Sequence, residues 1–269
     1  MRGLITLSPL RLTRWRGLAV ACAALLAAAV VAVLVVGSGS GHGTTRVAVP
    51  VTLRPAAAQV TTTTVAPLPR QGLIATLSGP TPYSAAPGGA QVGTLPADNP
   101  FGAPEVVAVT EVRDEGSGRW LHVRLPVRPN GSTGWIRGDA VSLTWTAYQV
   151  VVSLSARTLT VTDAGRVVLT TPVAVGTPTT PTPPDQTYLW ELIRPDDPNG
   201  AYGPYIFGLA EFSDAYSVFN GGDAQIGIHG QDEPWSIGKA ASHGCVRLPN
   251  DVITKLAGML PLGTPVTIS

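Results

Sequence analysis

Cys245 sits in the run Ser242-His243-Gly244-Cys245-Val246-Arg247, and a second histidine-glycine pair, His229-Gly230, begins sixteen positions before it. Two of the chain's four histidines and one of its two thiols therefore fall within seventeen residues. A thiol attacks carbonyl carbon well only as thiolate, and a nearby imidazole supplies both a base and a stabilising cation. In extended geometry His243 and Cys245 share a face, because side chains alternate along a strand. Gly244 between them leaves the backbone open to close approach by a substrate. Backbone N–H groups around Gly244 and Cys245 are then placed to stabilise an oxyanion. Two other readings stand beside this one. His229, His243 and Cys245 would serve as three zinc ligands with water as the fourth, or Cys245 is a buried structural residue between satisfied histidines. The Gly-rich turns around the cluster favour a nucleophile.

The elements that must position these residues are short and β-rich. Gly (30) and Pro (25) are plentiful and charged residues make up only 13% of the chain, a mix that favours strands and turns over long surface helices. From Tyr148 the sequence alternates through Tyr148-Gln-Val-Val-Val-Ser-Leu, Arg157-Thr-Leu-Thr-Val-Thr and Arg166-Val-Val-Leu-Thr-Thr, with Asp163-Ala-Gly165 as a hairpin turn. Further strands are expected at Ile206–Leu209, Tyr216–Phe219 and Ile226–Ile228, then a short helix over Asn250–Leu260 and a closing strand from Gly263. Residues 146–269 thus read as a mostly β domain, a sandwich.

Residues 71–145 form a second β module. Leu73-Ile-Ala-Thr-Leu, Glu105-Val-Val-Ala-Val-Thr-Glu-Val, Trp120-Leu-His-Val-Arg-Leu and Thr133-Gly-Trp-Ile are separated by turn signals at Ala86-Pro-Gly-Gly, Asp98-Asn-Pro-Phe-Gly and Pro129-Asn-Gly-Ser. Arg119-Trp-Leu-His-Val-Arg and Gly134-Trp-Ile-Arg-Gly-Asp-Ala-Val resemble features of bacterial SH3-like domains. That resemblance implies a small barrel that binds or orients wall material; as a plain spacer, its Trp120 and Trp135 would simply be core.

Before this module, Gly17–Val36 runs twenty residues without a charge, enough to cross a hydrocarbon core of roughly 30 Å as a helix. Residues 1–16 carry four arginines and no acid, which places them in the cytoplasm and the rest of the chain outside. A cleaved signal peptide is the alternative. Cys22, the other thiol, falls inside this run and reads as a passive membrane residue, leaving Cys245 without a partner for an intramolecular disulfide. Residues 37–70 are Gly, Ser, Thr, Pro, Ala and Val without period, a disordered tether. A formal net charge of +1, and six basic against eleven acidic side chains in residues 146–269, exclude a nucleic-acid partner.

His229-Gly230 followed by Ser242-His-Gly-Cys-Val-Arg resembles the signature of the L,D-transpeptidase family. Val173-Ala-Val-Gly176-Thr-Pro-Thr-Thr-Pro-Thr-Pro-Pro and Gly203-Pro-Tyr-Ile-Phe-Gly208 are similar to further family stretches, so the match extends over nearly all of residues 147–269. Asp185 departs from the family pattern where a glycine is common, and Arg247 stands where some members have asparagine. The resemblance implies Cys245 as nucleophile and His229 as general base and acid, oriented by the backbone carbonyl of Gly230. It implies that His243 lines the site, that Ser242 and Gly244 shape the oxyanion pocket, and that Tyr205 and Trp235, with Tyr202 and Tyr216, border the donor groove. Arg247 would pair with a substrate carboxylate or, equally, with a local acid. The implied reaction joins peptidoglycan stem peptides by 3→3 cross-links with release of D-alanine, with no metal or organic cofactor. Thioester hydrolysis, as in an L,D-carboxypeptidase, and an inactive wall-binding protein are the alternatives.

Overall fold

The computed structural model describes residues 72–116 and 118–269, which hold seventeen strands and one α-helix. The chain is mostly β, as its composition predicts. The expected cytoplasmic segment 1–16, anchor 17–36 and tether 37–70 lie outside the described residues. Among the described residues no helix is long and apolar enough to cross a membrane.

The first sheet contains β1 (Gly72–Leu77), β2 (Thr81–Ser84), β3 (Gln91–Leu95), β4 (Val106–Glu115), β5 (Gly118–Arg124), β6 (Thr133–Arg137) and β7 (Val141–Thr146). They lie side by side in the order β3-β2-β6-β5-β4-β1-β7, every pair antiparallel. Period-two patterning decides the faces. In β5, Leu121 and Val123 are fully buried, while Trp120, His122 and Arg124 occupy the half-exposed side. The buried side packs with Ala75, Leu95, Val107 and Ile136 into one apolar core. On the other side His122 stacks against Trp135 at 4.8 Å, and the Arg113 and Arg137 guanidinium groups cap the rings of Trp135 and Trp120.

The second sheet begins with β8 (Tyr148–Ser153), β9 (Thr158–Asp163) and β10 (Arg166–Pro172). The hairpin between β9 and β10 turns at Ala164 and Gly165, both with positive φ, the geometry that the Asp-Ala-Gly sequence supplies. It continues through β11 (Val175–Gly176), β12 (Gln186–Ile193), β13 (Ile206–Phe212), β14 (Gln225–His229), β15 (Ala240–Ser242), β16 (Val246–Arg247), α1 (Asn250–Ala257) and β17 (Pro265–Ile268). Eight of these strands form one mixed sheet in the order β10-β9-β8-β17-β12-β13-β14-β16, and β11 and β15 pair separately. Helix α1 ends at Ala257, three residues short of the expected Leu260, with Gly258 as its C-cap. Its buried residues are Ile253 and Leu256, with Val252 and Met259 only partly covered. The strand expected at Tyr216–Phe219 does not form. Asn220 and Gly221 take positive φ there, so Asn-Gly-Gly makes a loop whose ladder contact is the bridging of Phe219 to Gly222 and Asp223.

The two sheets meet through a small buried cluster of Ala108, Tyr188, Trp190 and Ala210 and through polar contacts. Trp190 Nε1 donates to buried Glu105 at 2.6 Å, and Tyr188 Oη donates to the Arg124 carbonyl at 3.4 Å. Arg128, in the β5–β6 loop, donates to three carbonyls of the β13–β14 loop, those of Ser213, Tyr216 and Asp223, each at 3.0 Å. Asn130 beside it exchanges two hydrogen bonds with the Phe212 backbone.

Candidate active site

Strands β14 and β16 pair in parallel with Ile228 opposite Val246 and His229 opposite Arg247, and the Leu248 amide donates to the His229 carbonyl at 2.8 Å. This pairing brings the two halves of the sequence cluster together. Ile226, Ile228, Val246 and Leu248 anchor it in the core, each at 1% exposure or less. Residues 243–245 are not extended. Gly244 takes φ +125, in the region that favours glycine, and a Cβ there would meet Ile226 Cδ1 at 3.0 Å. A bend, rather than strand alternation, therefore turns His243 and Cys245 toward one cleft.

Hydroxyl groups hold that bend. Ser242 Oγ donates to the Cys245 carbonyl at 2.5 Å and accepts from the Gly244 amide at 3.2 Å. Thr182 Oγ1 donates to the Gly244 carbonyl at 2.7 Å and accepts from the Gly176 amide, while Thr180 Oγ1 donates to the Ser242 carbonyl. The Gly244 amide is thus committed to Ser242. Gly244 and Ser242 shape the cysteine turn, and Gly244 does not present a free amide to an oxyanion, contrary to the expectation from extended geometry. Gly230 likewise spends its amide on the Tyr205 carbonyl.

His229 is 3% exposed, and its Nδ1 lies 2.5 Å from the Gly230 carbonyl oxygen. A carbonyl can only accept, so Nδ1 carries the hydrogen and Nε2 keeps its lone pair. Burial pushes the imidazole down to about 4; the Gly230 carbonyl opposes this and the Arg247 charge adds to it. Burial also pushes the Cys245 thiol up, against the Gly227 amide, 3.4 Å from Sγ, and the Arg247 charge. The resting pair is therefore a neutral thiol and a neutral imidazole. It has no standing cation; His229 is set up to take a proton as sulfur attacks.

Two clefts converge on this pair. One, of about 200 Å³, extends over β13 and β14 and is lined by Ile193, Ile206, Gly208, Asp223, Gln225 and Gly227. The other, of about 240 Å³, runs past Ala201, Asn220, Ser242, His243 and Arg247. Tyr202, Phe219, His229 and Cys245 line both. A larger cavity of about 490 Å³ lies among Arg124, Trp145, Gln149 and Pro265 and contains none of the candidate residues, so volume alone does not mark the chemistry.

The remaining candidates separate. His243 is exposed and lies against the Phe219 ring at 5.6 Å. Arg247 lines the second cleft but is paired with Glu233 at 2.7 Å, the local-acid alternative. Tyr205 packs against the apolar core, and Trp235 is 60% exposed beside Lys239; neither lines either cleft. Tyr202 takes the place expected of them, edge-on to His229 at 5.1 Å. Phe219, Thr182 and Asn250 were not singled out from the sequence. Asn250 Oδ1 accepts from the Gln231 amide at 2.8 Å and fills the space left by Gly203 and Gly230, fixing the turn after His229. Thr182 carried a signal in its Thr-Pro-Thr-Pro context; Asn250 carried none, because its partner lies nineteen residues away.

A partly exposed thiol and a buried imidazole that line the same two clefts are the pair of groups that nucleophilic thiol chemistry requires. Residues 147–268 match the model of the YkuD family, the L,D-transpeptidase catalytic domain. YkuD of Bacillus subtilis (strain 168), assigned to the L,D-transpeptidases, is 38% identical over 122 residues, covering 45% of this chain and 66% of the relative. Its Bacillus licheniformis counterpart is 37% identical over the same share of both chains. The matched region thus spans just under two thirds of these relatives. Among solved structures, the catalytic domain of the E. faecium L,D-transpeptidase is 26% identical, covers 45% of this chain and 96% of that one, and has a TM-score of 0.34. An L,D-transpeptidase in complex with imipenem is 17% identical, covers 60% and 98%, and has a TM-score of 0.39.

Proposed function

We propose that the chain is a cysteine-dependent peptidoglycan L,D-transpeptidase that forms 3→3 cross-links. The observation that carries this is the meeting of two clefts at Cys245 and His229, since transfer needs room for an acyl donor and an amine acceptor on either side of one thioester. Cys245 Sγ attacks the carbonyl carbon of the diamino acid at position three of a tetrapeptide stem while its proton passes to His229 Nε2. The bond to the terminal D-alanine breaks and the leaving amine takes that proton. An amine from a neighbouring stem then attacks the thioester, gives a proton to His229, and releases the thiol. The Gly230 carbonyl keeps Nδ1 protonated throughout, so Nε2 is the working atom. The peptide stems are the partners, no cofactor takes part, and residues 17–36 anchor the chain with its catalytic body outside the membrane. Residues 71–145, read as an SH3-like module, orient that body toward the wall.

The full chain in detergent micelles, given a disaccharide-tetrapeptide, should yield a dimer and free D-alanine by mass spectrometry, both dependent on Cys245. Tripeptide without dimer would replace transfer by hydrolysis. Folded protein with no product would favour a wall-binding role.

A further inference from the structure

The loop between β13 and β14 carries Phe219, which lines both clefts, yet it has little core of its own. Of residues 214–223 only Tyr216 and Phe219 are half-buried, and the rest are exposed. A segment that buries so little apolar surface depends on directional bonds for its position. Some of these bonds fold the loop upon itself. Ser213 Oγ accepts from the Ala215 and Tyr216 amides, and Phe219 and Gly222 exchange amide-to-carbonyl bonds at 2.9 and 3.0 Å. Others tie it to the rest of the molecule. At the tip, Asn220 Nδ2 donates to Tyr202 Oη at 3.0 Å.

At the base stands Arg128. Its Nη1 donates to the Ser213 carbonyl and its Nη2 to those of Tyr216 and Asp223, so one rigid plane joins both ends of the loop. Its Cζ lies 5.0 Å over the Phe212 ring, while Asn130 holds the Phe212 backbone through donor and acceptor alike. The grip reaches the site through a row of rings. Tyr216 and Phe219 have centroids 5.6 Å apart, and Phe219 and His243 are again 5.6 Å apart. Phe219 shares the lining of both clefts with His229 and Cys245, so it forms a partition where a thioester on Cys245 would be attacked.

Such a thioester has two fates. An amine adds to its carbonyl carbon, the C–S bond breaks, sulfur regains a proton and a dimer leaves. Water does the same and a tripeptide acid leaves. Water needs no aligned approach, whereas a tethered amine must be held in line, and a misplacement of about 1 Å can cost such a step on the order of a hundredfold. We propose that Arg128 is a positioning residue for acyl transfer: by holding the loop it places Phe219 so that the acceptor amine, rather than water, takes the thioester. This rests on the transpeptidase reading.

The test gives the full chain in detergent micelles a disaccharide-tetrapeptide and measures dimer, tripeptide and D-alanine by mass spectrometry. Arg128→Ala should lower the dimer-to-tripeptide ratio by about fivefold or more, because alignment matters to the amine and not to water. D-alanine release should slow by no more than a few-fold, since forming the thioester needs no acceptor. Arg128→Lys keeps the charge without the planar fork and should recover only part of the ratio. Arg137→Ala removes a guanidinium that pairs with Asp139 and caps Trp120 within the first sheet, and it should leave the ratio unchanged. Loss of folded protein scales both products together, so a purely structural role does not move the ratio. An unchanged ratio in Arg128→Ala overturns the proposal, as does an equal shift in Arg137→Ala. Phe219→Ala should shift the ratio the same way with Arg128 in place, and an unchanged ratio there overturns the proposal even if Arg128→Ala does not fold. A wild type that forms no dimer overturns the transpeptidase reading and the proposal with it; dimer at a ratio independent of Arg128 removes only the proposal.

Discussion

Glycine serves opposite purposes in the two sheets. In the first, the space beside each strand glycine is taken by the chain itself. A Cβ on Gly93 would fall 2.4 Å from the Tyr83 hydroxyl, one on Gly134 would fall 3.0 Å from the Tyr83 ring, and one on Gly118 would meet the Arg137 guanidinium. In the second sheet Glu191 and Gln225 fill the space beside Gly208 in the same way, whereas the space beside Gly227 borders the cleft and lies 4.0 Å from Cys245 Sγ. The residue type is the same; what differs is whether a neighbour moved in. A glycine-rich stretch therefore marks a functional site only where the vacancy stays open, which depends on tertiary packing.

The comparison can be broken or sharpened in order of expected effect. Cys245→Ala should abolish D-alanine release while leaving the melting temperature within a few degrees, since it removes one sulfur from a partly exposed side chain. Next is the acid limb of activity. His229 acts as base only when neutral, so kcat/KM should fall as pH drops through about 4, not near the ordinary imidazole value of 6.5. Stability follows with a definite sign. The unfolded chain takes up a proton near 6.5 that the folded chain refuses until about 4, so this group subtracts stability as pH falls across that window. Thermal melts of wild type and His229→Asn between pH 7 and 4 would show the slope and its loss.

Gly227→Ala should lower kcat/KM by roughly tenfold or more, because its Cβ would sit 3.2 Å from Ile206 Cγ2 and crowd the thiol's approach. Gly93→Ala forces the Tyr83 ring aside and should cost about 1–3 kcal/mol in stability, yet leave turnover per folded molecule unchanged. Equal losses of turnover in the two variants would erase the distinction between filled and open glycines. The smallest effect is expected from Arg128→Ala, a few-fold loss of kcat/KM with both sheet cores intact, measured beside a denaturant melt.

The His229/Cys245 pair was legible because two scarce residue types crowd one segment and their chemistry requires a neighbour. So were the half-buried strands, whose alternation in β5 survived into the fold. The site's fine geometry was not. Strand alternation predicted a shared face for His243 and Cys245, but Gly244 at φ +125 breaks the strand between them. Tyr216–Phe219 looked like a strand by apolar content, and the positive φ at Asn220 and Gly221 overrode it. Tyr205 looked like a groove residue and went to the core. The strand Gln186–Ile193 was not anticipated, and with it the place of Glu191. Nothing local marks it as an acid facing two glycines, because that row exists only once β12, β13 and β14 are in register.

Arg128 belongs to the part of the chain outside the family match, yet the three carbonyls it claims lie on the loop that carries Phe219 and ends at Asp223, the shared wall of the site. A recombination event at residue 146 would deliver every reactive group intact and leave that wall without its guanidinium. The position of that loop is therefore set from the other sheet, by hydrogen bonds that the matched half cannot supply to itself.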